Sequence, residues 1–189
     1  MEDTNEIRAF IAMEIKDPAI VKKARGIQSL FTDDAMGKLK FVELENMHAT
    51  IKFLGNIDII TAKKIYQILQ GLGTIPAGGF DVTLKHVGQF GGRVLWVGID
   101  DPAGIIAKSA ARVDEELSKQ LGIPREKRPF EGHMTLARVK ALNNKKLFQE
   151  KVAQVRDEEL GKQHVEAVLL KQSRLTPKGP IYTTLKYEK

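Results

Sequence analysis

The sequence predicts a mixed fold of helices and strands, built as two similar halves about a pseudo-twofold axis. Three observations carry that expectation. Ile15-Lys16-Asp17-Pro18-Ala19 recurs as Ile99-Asp100-Asp101-Pro102-Ala103, at a spacing of 84 residues. His48-Ala49-Thr50-Ile51 recurs as His133-Met134-Thr135-Leu136, at a spacing of 85. The same order of strand-like and helix-like segments surrounds both copies, and an internal repeat of this kind makes one structural unit occur twice.

Each half opens on an apolar run of strand character, Ile7 to Met13 in the first and Arg93 to Gly98 in the second. An Asp-Pro pair follows each run, and aspartate before proline predicts a helix start with proline in the first turn. The H-x-T-x strands come next. After them, Ile60, Ile65, Ile68 and Leu69 give an apolar face to a helix predicted over Asp58 to Leu72. Leu147, Val152, Val155 and Leu160 predict its counterpart over Asn143 to Leu160. Each half then closes on a strand, Phe80 to His86 and Val165 to Lys171. Further strands are expected over Lys38 to Leu44 and Ile181 to Tyr187. Gly71, Gly73, Pro76, Gly78 and Gly79 mark a turn, and Pro124 to Pro129 a charged loop before the second motif. No flexible linker separates the halves. The expectation is therefore one domain over residues 1–189, with two lobes and a cleft lined by equivalent elements from each.

Composition narrows the function classes. The chain has 189 residues, 42% hydrophobic and 29% charged, an ordinary balance for a globular protein. No run approaches the length needed to span a bilayer. The opening Met-Glu-Asp-Thr-Asn-Glu is acidic where a signal peptide is basic, so a cytoplasmic location and no membrane partner are expected. There is no cysteine, which removes disulfides, thiolate nucleophiles and Cys-ligated zinc together. A net charge of +6 favours anionic partners.

In a strand, residues two apart face the same side. His48 therefore points with Thr50, and His133 with Thr135, while Ala49, Ile51, Met134 and Leu136 point to an apolar back. A pseudo-twofold would bring both pairs to one cleft. Hydrolysis of a cyclic phosphodiester uses such a set: a base for the attacking water, an acid for the departing ribose oxygen, and donors for the charge that grows on phosphorus. Histidine serves either role near neutral pH. Thr50, Thr135 and Arg138 are the candidate phosphate contacts, arginine through its forked guanidinium. Zinc wants three or four ligands, and neither motif has a second histidine two to four residues away on its imidazole face. No metal and no cofactor are expected. His86 and His164 are not equivalently placed and are read as surface or strand-end residues. Lys52, Lys85, Arg93, Arg125, Lys127, Arg128, Arg174 and Lys178 are candidates for an RNA path, though most such residues are simply solvated. Phe53, Phe90 and Phe130 are candidates to stack a base, with burial the competing reading, above all for Phe53. Trp96 is read as core.

The strings Glu45 to Gly55 and Arg128 to Arg138 resemble the two signatures of the 2H phosphoesterase superfamily. The branch most similar is the RNA 2′,3′-cyclic phosphodiesterases, also called LigT-like or 2′-5′ RNA ligases. Arg8 to Ala12, Arg93 to Gly98 and Ser173 to Tyr182 fit the same branch. Ala49 and Gly132 are smaller than the residues the family commonly has there. The resemblance implies a bilobal α+β fold, with antiparallel sheets lining a central cleft and helices outside. It implies opening of an RNA 2′,3′-cyclic phosphate to a 2′-phosphomonoester, with His48 as proton donor to the leaving 3′ oxygen and His133 as base. Thr50, Thr135 and Arg138 are carried over as phosphate contacts. It also implies ATP-independent 2′-5′ ligation as the reverse reaction, and no Walker-type phosphate loop is present. The expected partners are RNA ends or nucleotides with a 2′,3′-cyclic phosphate, tRNA fragments among them, and the expected state is a monomer. The residues alone leave two alternatives open: a module that binds such ends without catalysis, and the same chemistry on a different cyclic or 2′-5′-linked nucleotide.

Overall fold

A computed structural model describes residues 6–177 and 179–187. Among the described residues there are nine strands and four α-helices: β1 Glu6–Glu14, α1 Pro18–Ser29, β2 Gly37–Phe41, β3 His48–Asp58, α2 Ile59–Leu72, β4 Phe80–Phe90, β5 Val94–Asp100, α3 Ile105–Leu121, β6 His133–Leu142, α4 Lys145–Gln154, β7 Glu159–Val165, β8 Leu169–Thr176 and β9 Gly179–Thr184. The fold is α+β, and every strand pairing is antiparallel.

The strands follow the order β7-β4-β5-β6-β3-β1-β8-β9, with β2 also on β6. That order is symmetric about the junction of β6 with β3. The repeated strands β1 and β5 flank the two motif strands. The closing strands are exchanged: β4, from the first half, pairs with β5, and β8, from the second, pairs with β1. Each half thus completes the sheet of the other. The two motif strands, β3 and β6, meet through one paired position, Ala49 opposite Met134. Both side chains are fully buried, and a small alanine against a long methionine lets the backbones approach at the crossing.

The back of the sheet carries the core. Ile11, Met13, Ala49, Ile51, Leu95, Val97, Met134 and Leu136 pack there in one cluster with helix residues Ile20, Ala24, Ala62, Ile65, Val113, Leu117, Phe148 and Val152. Helix starts are set locally. Asp17 caps α1 by accepting from Ala19 N at 2.9 Å and Ile20 N at 3.1 Å, with Pro18 in the first turn as the sequence predicts. Asp58 and Asn144 cap α2 and α4 in the same way.

Three expectations need correction. The second Asp-Pro does not open its helix: Gly104 adopts a left-handed conformation (φ 66°), and α3 starts after it at Ile105. Asp101 still serves, accepting from Ile106 N at 2.6 Å. The helix expected to reach Leu160 stops at Gln154, where Val155 leaves the helical conformation and caps the end through its N–H on the Val152 and Ala153 carbonyls. Leu160 is buried instead in β7, beside β4. The strand expected over Val165 to Lys171 is the end of β7 and the start of β8, which lie toward opposite ends of the sheet. Residues 166–168 carry the chain between them.

Candidate active site

Alternation on the strands defines one functional face. Around the Ala49–Met134 pair, antiparallel register sets His48 toward Thr135 and Thr50 toward His133. The two imidazoles are then diagonal neighbours, which an undistorted ladder spaces at about 7–8 Å between backbones. The charges of Arg138 and His133 both act to lower the His48 pKa. The structure therefore brings together all five residues singled out from the motifs.

Arg138 reaches this face only because of a bulge. It lies five residues beyond His133, an odd number that strict alternation would send to the back. Between the pairs Trp96–Thr135 and Leu95–Ala137, however, β6 carries one extra residue, Leu136. The extra residue resets the alternation. The Leu136 carbonyl accepts from Gln28 Nε2 of α1 and from Val42 N, both at 2.9 Å, so the bulge is held by hydrogen bonds. β3 repeats the device at Ile51, between the pairs Ala12–Thr50 and Ile11–Lys52. That bulge turns Phe53, the counterpart of Arg138, onto the site face, where it is 61% exposed. Burial, the reading favoured for Phe53 from sequence, is thus overturned.

Both imidazoles are oriented by the same local contact. His48 Nδ1 lies 2.6 Å from the Asn46 carbonyl, and His133 Nδ1 lies 2.8 Å from the Glu131 carbonyl. A carbonyl only accepts, so each Nδ1 carries the proton and each Nε2 is left to act. Aromatic rings fix the planes. Phe10 and Tyr182 sit 5.0 and 5.2 Å from the His48 ring, Tyr182 edge-on. Phe90 stands edge-on to His133 at 5.1 Å, with Trp96 behind at 6.5 Å. Trp96 was expected in the core; it is half-buried on the site face, and its indole lies over Gly88, where any Cβ would collide with it.

The electrostatics differ between the two rings. Burial lowers the pKa of His48 below its ordinary value; the charges of Lys171, Arg138 and His133 lower it further, against a raising contribution from the Asn46 carbonyl. Lys171 is buried, held by Glu14 Oε1 at 2.5 Å and Thr184 Oγ1 at 3.0 Å. Burial alone would raise Glu14, but hydrogen bonds from Lys16 and Lys171 hold its carboxyl below the usual range. Glu14, Lys16, Lys171 and Tyr182 line a pocket of about 170 Å³ together with His48. Sequence reasoning missed Glu14 and Lys171, since neither is near a motif in the chain.

The expected RNA-path cations divide. Lys52 is 4% exposed and ties β3 to α3 through Asp114 Oδ1 at 2.5 Å and the Pro124 carbonyl at 2.9 Å. It is a buried staple, not a ligand contact. Arg125 joins the same aspartate at 3.4 Å, and Lys85 pairs with Asp100 at 2.7 Å. Arg93, Lys127, Arg128 and Arg174 are exposed, and Lys178 lies outside the described residues. Phe130 is half-buried against the core. His86 and His164 stand at the surface beside Asp157 and Asp81. Among the described residues no three His, Asp or Glu side chains gather as a metal-binding group, and no helix is long and apolar enough to cross a membrane.

Two imidazoles, two hydroxyls and a guanidinium on one surface are the equipment of an acid–base phosphoesterase. Comparison with known proteins agrees: the chain belongs to the LigT-like phosphoesterase family, whose model matches residues 15–96 and again 100–182, once for each half. The chain is 32% identical to the RNA 2′,3′-cyclic phosphodiesterase of Methanocaldococcus jannaschii, across 95% of this chain and 99% of that protein. It is 34% identical to the protein of the same name from Archaeoglobus fulgidus, across 95% and 98%. Among solved structures it is similar to TT0787 of Thermus thermophilus, with a TM-score of 0.78 and 25% identity over 95% and 96% of the two chains. It is also similar to E. coli LigT complexed with 3′-AMP, with a TM-score of 0.73 and 25% identity over 96% of each.

Proposed function

We propose that this protein opens the 2′,3′-cyclic phosphate at an RNA end to a 2′-phosphomonoester without a metal. The observation that carries the reading is the convergence of His48 and His133 on one face, each with Nδ1 committed to a backbone carbonyl and Nε2 free. In the reaction, His133 Nε2 removes a proton from water as its oxygen bonds to phosphorus. The P–O3′ bond breaks on the opposite side, and His48 Nε2 gives its proton to O3′. Each imidazole ends in the other's starting protonation state, so the next turnover needs proton exchange with solvent. Arg138, Thr50 and Thr135 donate to the non-bridging oxygens, where charge grows in the transition state.

The lowered pKa of His48 fits a donor that is charged by its substrate. In the free site, burial and neighbouring cations disfavour the imidazolium; an arriving phosphate supplies the negative charge that restores it. Phe53, exposed on the same face and equivalent by the repeat to Arg138, offers a stacking surface for the terminal base. Attack by a 5′ hydroxyl in place of water would open the same ring, again with O3′ leaving and taking a proton, and would join the two ends through a 2′-5′ bond.

The test is incubation of an RNA ending in a 2′,3′-cyclic phosphate with the protein and a chelator, followed by chromatography and mass measurement. A 2′-phosphomonoester product is expected. No turnover, or turnover only with added metal, would sink the proposal.

A further inference from the structure

The cationic surface of the site continues past Arg138 onto β2. β2 lies along the same edge of β6 that β3 touches at Met134, but nearer the end of the strand. In that pairing Lys40 stands directly opposite Arg138, so the two side chains share the site face, with Cβ atoms about 4.5–5.5 Å apart by sheet geometry. Lys38 and Lys140 follow on the same strand pair. All four residues are exposed. Among the described residues, none of the four forms an ion pair with a carboxylate, whereas Lys16, Lys52, Lys85 and Lys171 all do. Their charge is therefore uncompensated along one short strip that begins at the candidate phosphate arginine.

A single cyclic phosphate at Arg138 would leave the charge of Lys40, one strand away, free for a second phosphate. We infer that Lys40, backed by Lys38 and Lys140, binds the phosphodiester that links the terminal nucleotide to the one before it. This rests on the cyclic-phosphate reading above and adds to it the residues that select for chain: through them an oligonucleotide end is preferred to a free nucleoside 2′,3′-cyclic phosphate, which has no such phosphate. The contact is electrostatic, so it selects for chain and not for base sequence. None of these three lysines was among the cations expected from sequence, because only the β2–β6 register places them beside Arg138.

The experiment compares kcat/KM for a nucleoside 2′,3′-cyclic phosphate and for a short oligonucleotide ending in the same group, over a range of salt. The unaltered protein should favour the oligonucleotide, and salt should erode that preference. In Lys40→Met the preference should fall roughly two- to fivefold, the range for one exposed ion pair. The oligonucleotide's dependence of log kcat/KM on log salt should become shallower by about 0.7. Lys40→Arg should restore both, which a mere folding defect would not do. An unchanged preference and salt slope in Lys40→Met overturn the inference while leaving the cyclic-phosphate reading intact. Absence of turnover on both substrates by the unaltered protein fails that underlying reading instead.

Discussion

The two halves of the sheet present the same motif in different surroundings. His48 is the enclosed copy: Phe10 and Tyr182 wall it in, and Glu14 stands across from it on β1 with Lys171 attached. His133 is the more open copy, with Phe90 beside it and Gly98 in the position that Glu14 holds in the first half. Five residues beyond each histidine, matching bulges present Phe53 on one side and Arg138 on the other. The backbone keeps its symmetry and the side chains break it. A symmetric phosphate grip would bind but would not distinguish donor from base, or nucleoside from phosphate. The asymmetry provides both distinctions.

The comparison is most severely tested by removing its shared members. His48→Ala and His133→Ala should each lower turnover of a cyclic-phosphate RNA end by roughly 10²–10⁴-fold, with circular dichroism unchanged. Retention of near-normal activity by either variant would reduce the pair to a single working residue. Arg138→Ala should cost about 10²–10³-fold, mostly in kcat, because its charge matches one that appears in the transition state. Phe53→Ala should act differently, raising KM by about 1–3 kcal/mol of lost stacking with a smaller change in kcat, and Phe53→Tyr should recover it. If the two variants show the same kinetic pattern, the division of labour between the lobes is wrong.

The smallest expected effect reports on the enclosure itself. Removing the cation in Lys171→Met should raise the titration midpoint of His48 in the free protein, because a positive neighbour disfavours the imidazolium. Proton NMR of the imidazole ring checks this, and Lys171→Arg should keep the original midpoint. A midpoint that does not move would show that burial and the other cations set it without Lys171.

Much of this site was legible in the sequence. The H-x-T-x motifs could be read because a strand alternates with period two, and the repeat could be read because Asp-Pro and His-x-Thr recur in register. Alternation also explains what could not be read. Arg138 and Phe53 face the site through bulges at Leu136 and Ile51, and nothing in an apolar strand announces an extra residue. Lys52 carries the composition of an RNA-path lysine, yet Asp114 and the Pro124 carbonyl, 62 and 72 residues away, make it a buried tie. Lys40 and Lys171 gain their importance from strand neighbours distant in the chain. The exchange of β4 and β8 between the halves was likewise invisible, since local pattern fixes a strand but not its partner.

The most direct measurement is an experimental structure of the protein bound to the product, a nucleoside 2′-phosphate. One phosphate should be gripped by Arg138, with His133 Nε2 on one of its oxygens and His48 Nε2 on the freed 3′ hydroxyl, each at about 2.6–3.2 Å. A phosphate held by one imidazole alone, with the other ring out of reach, would contradict that convergence.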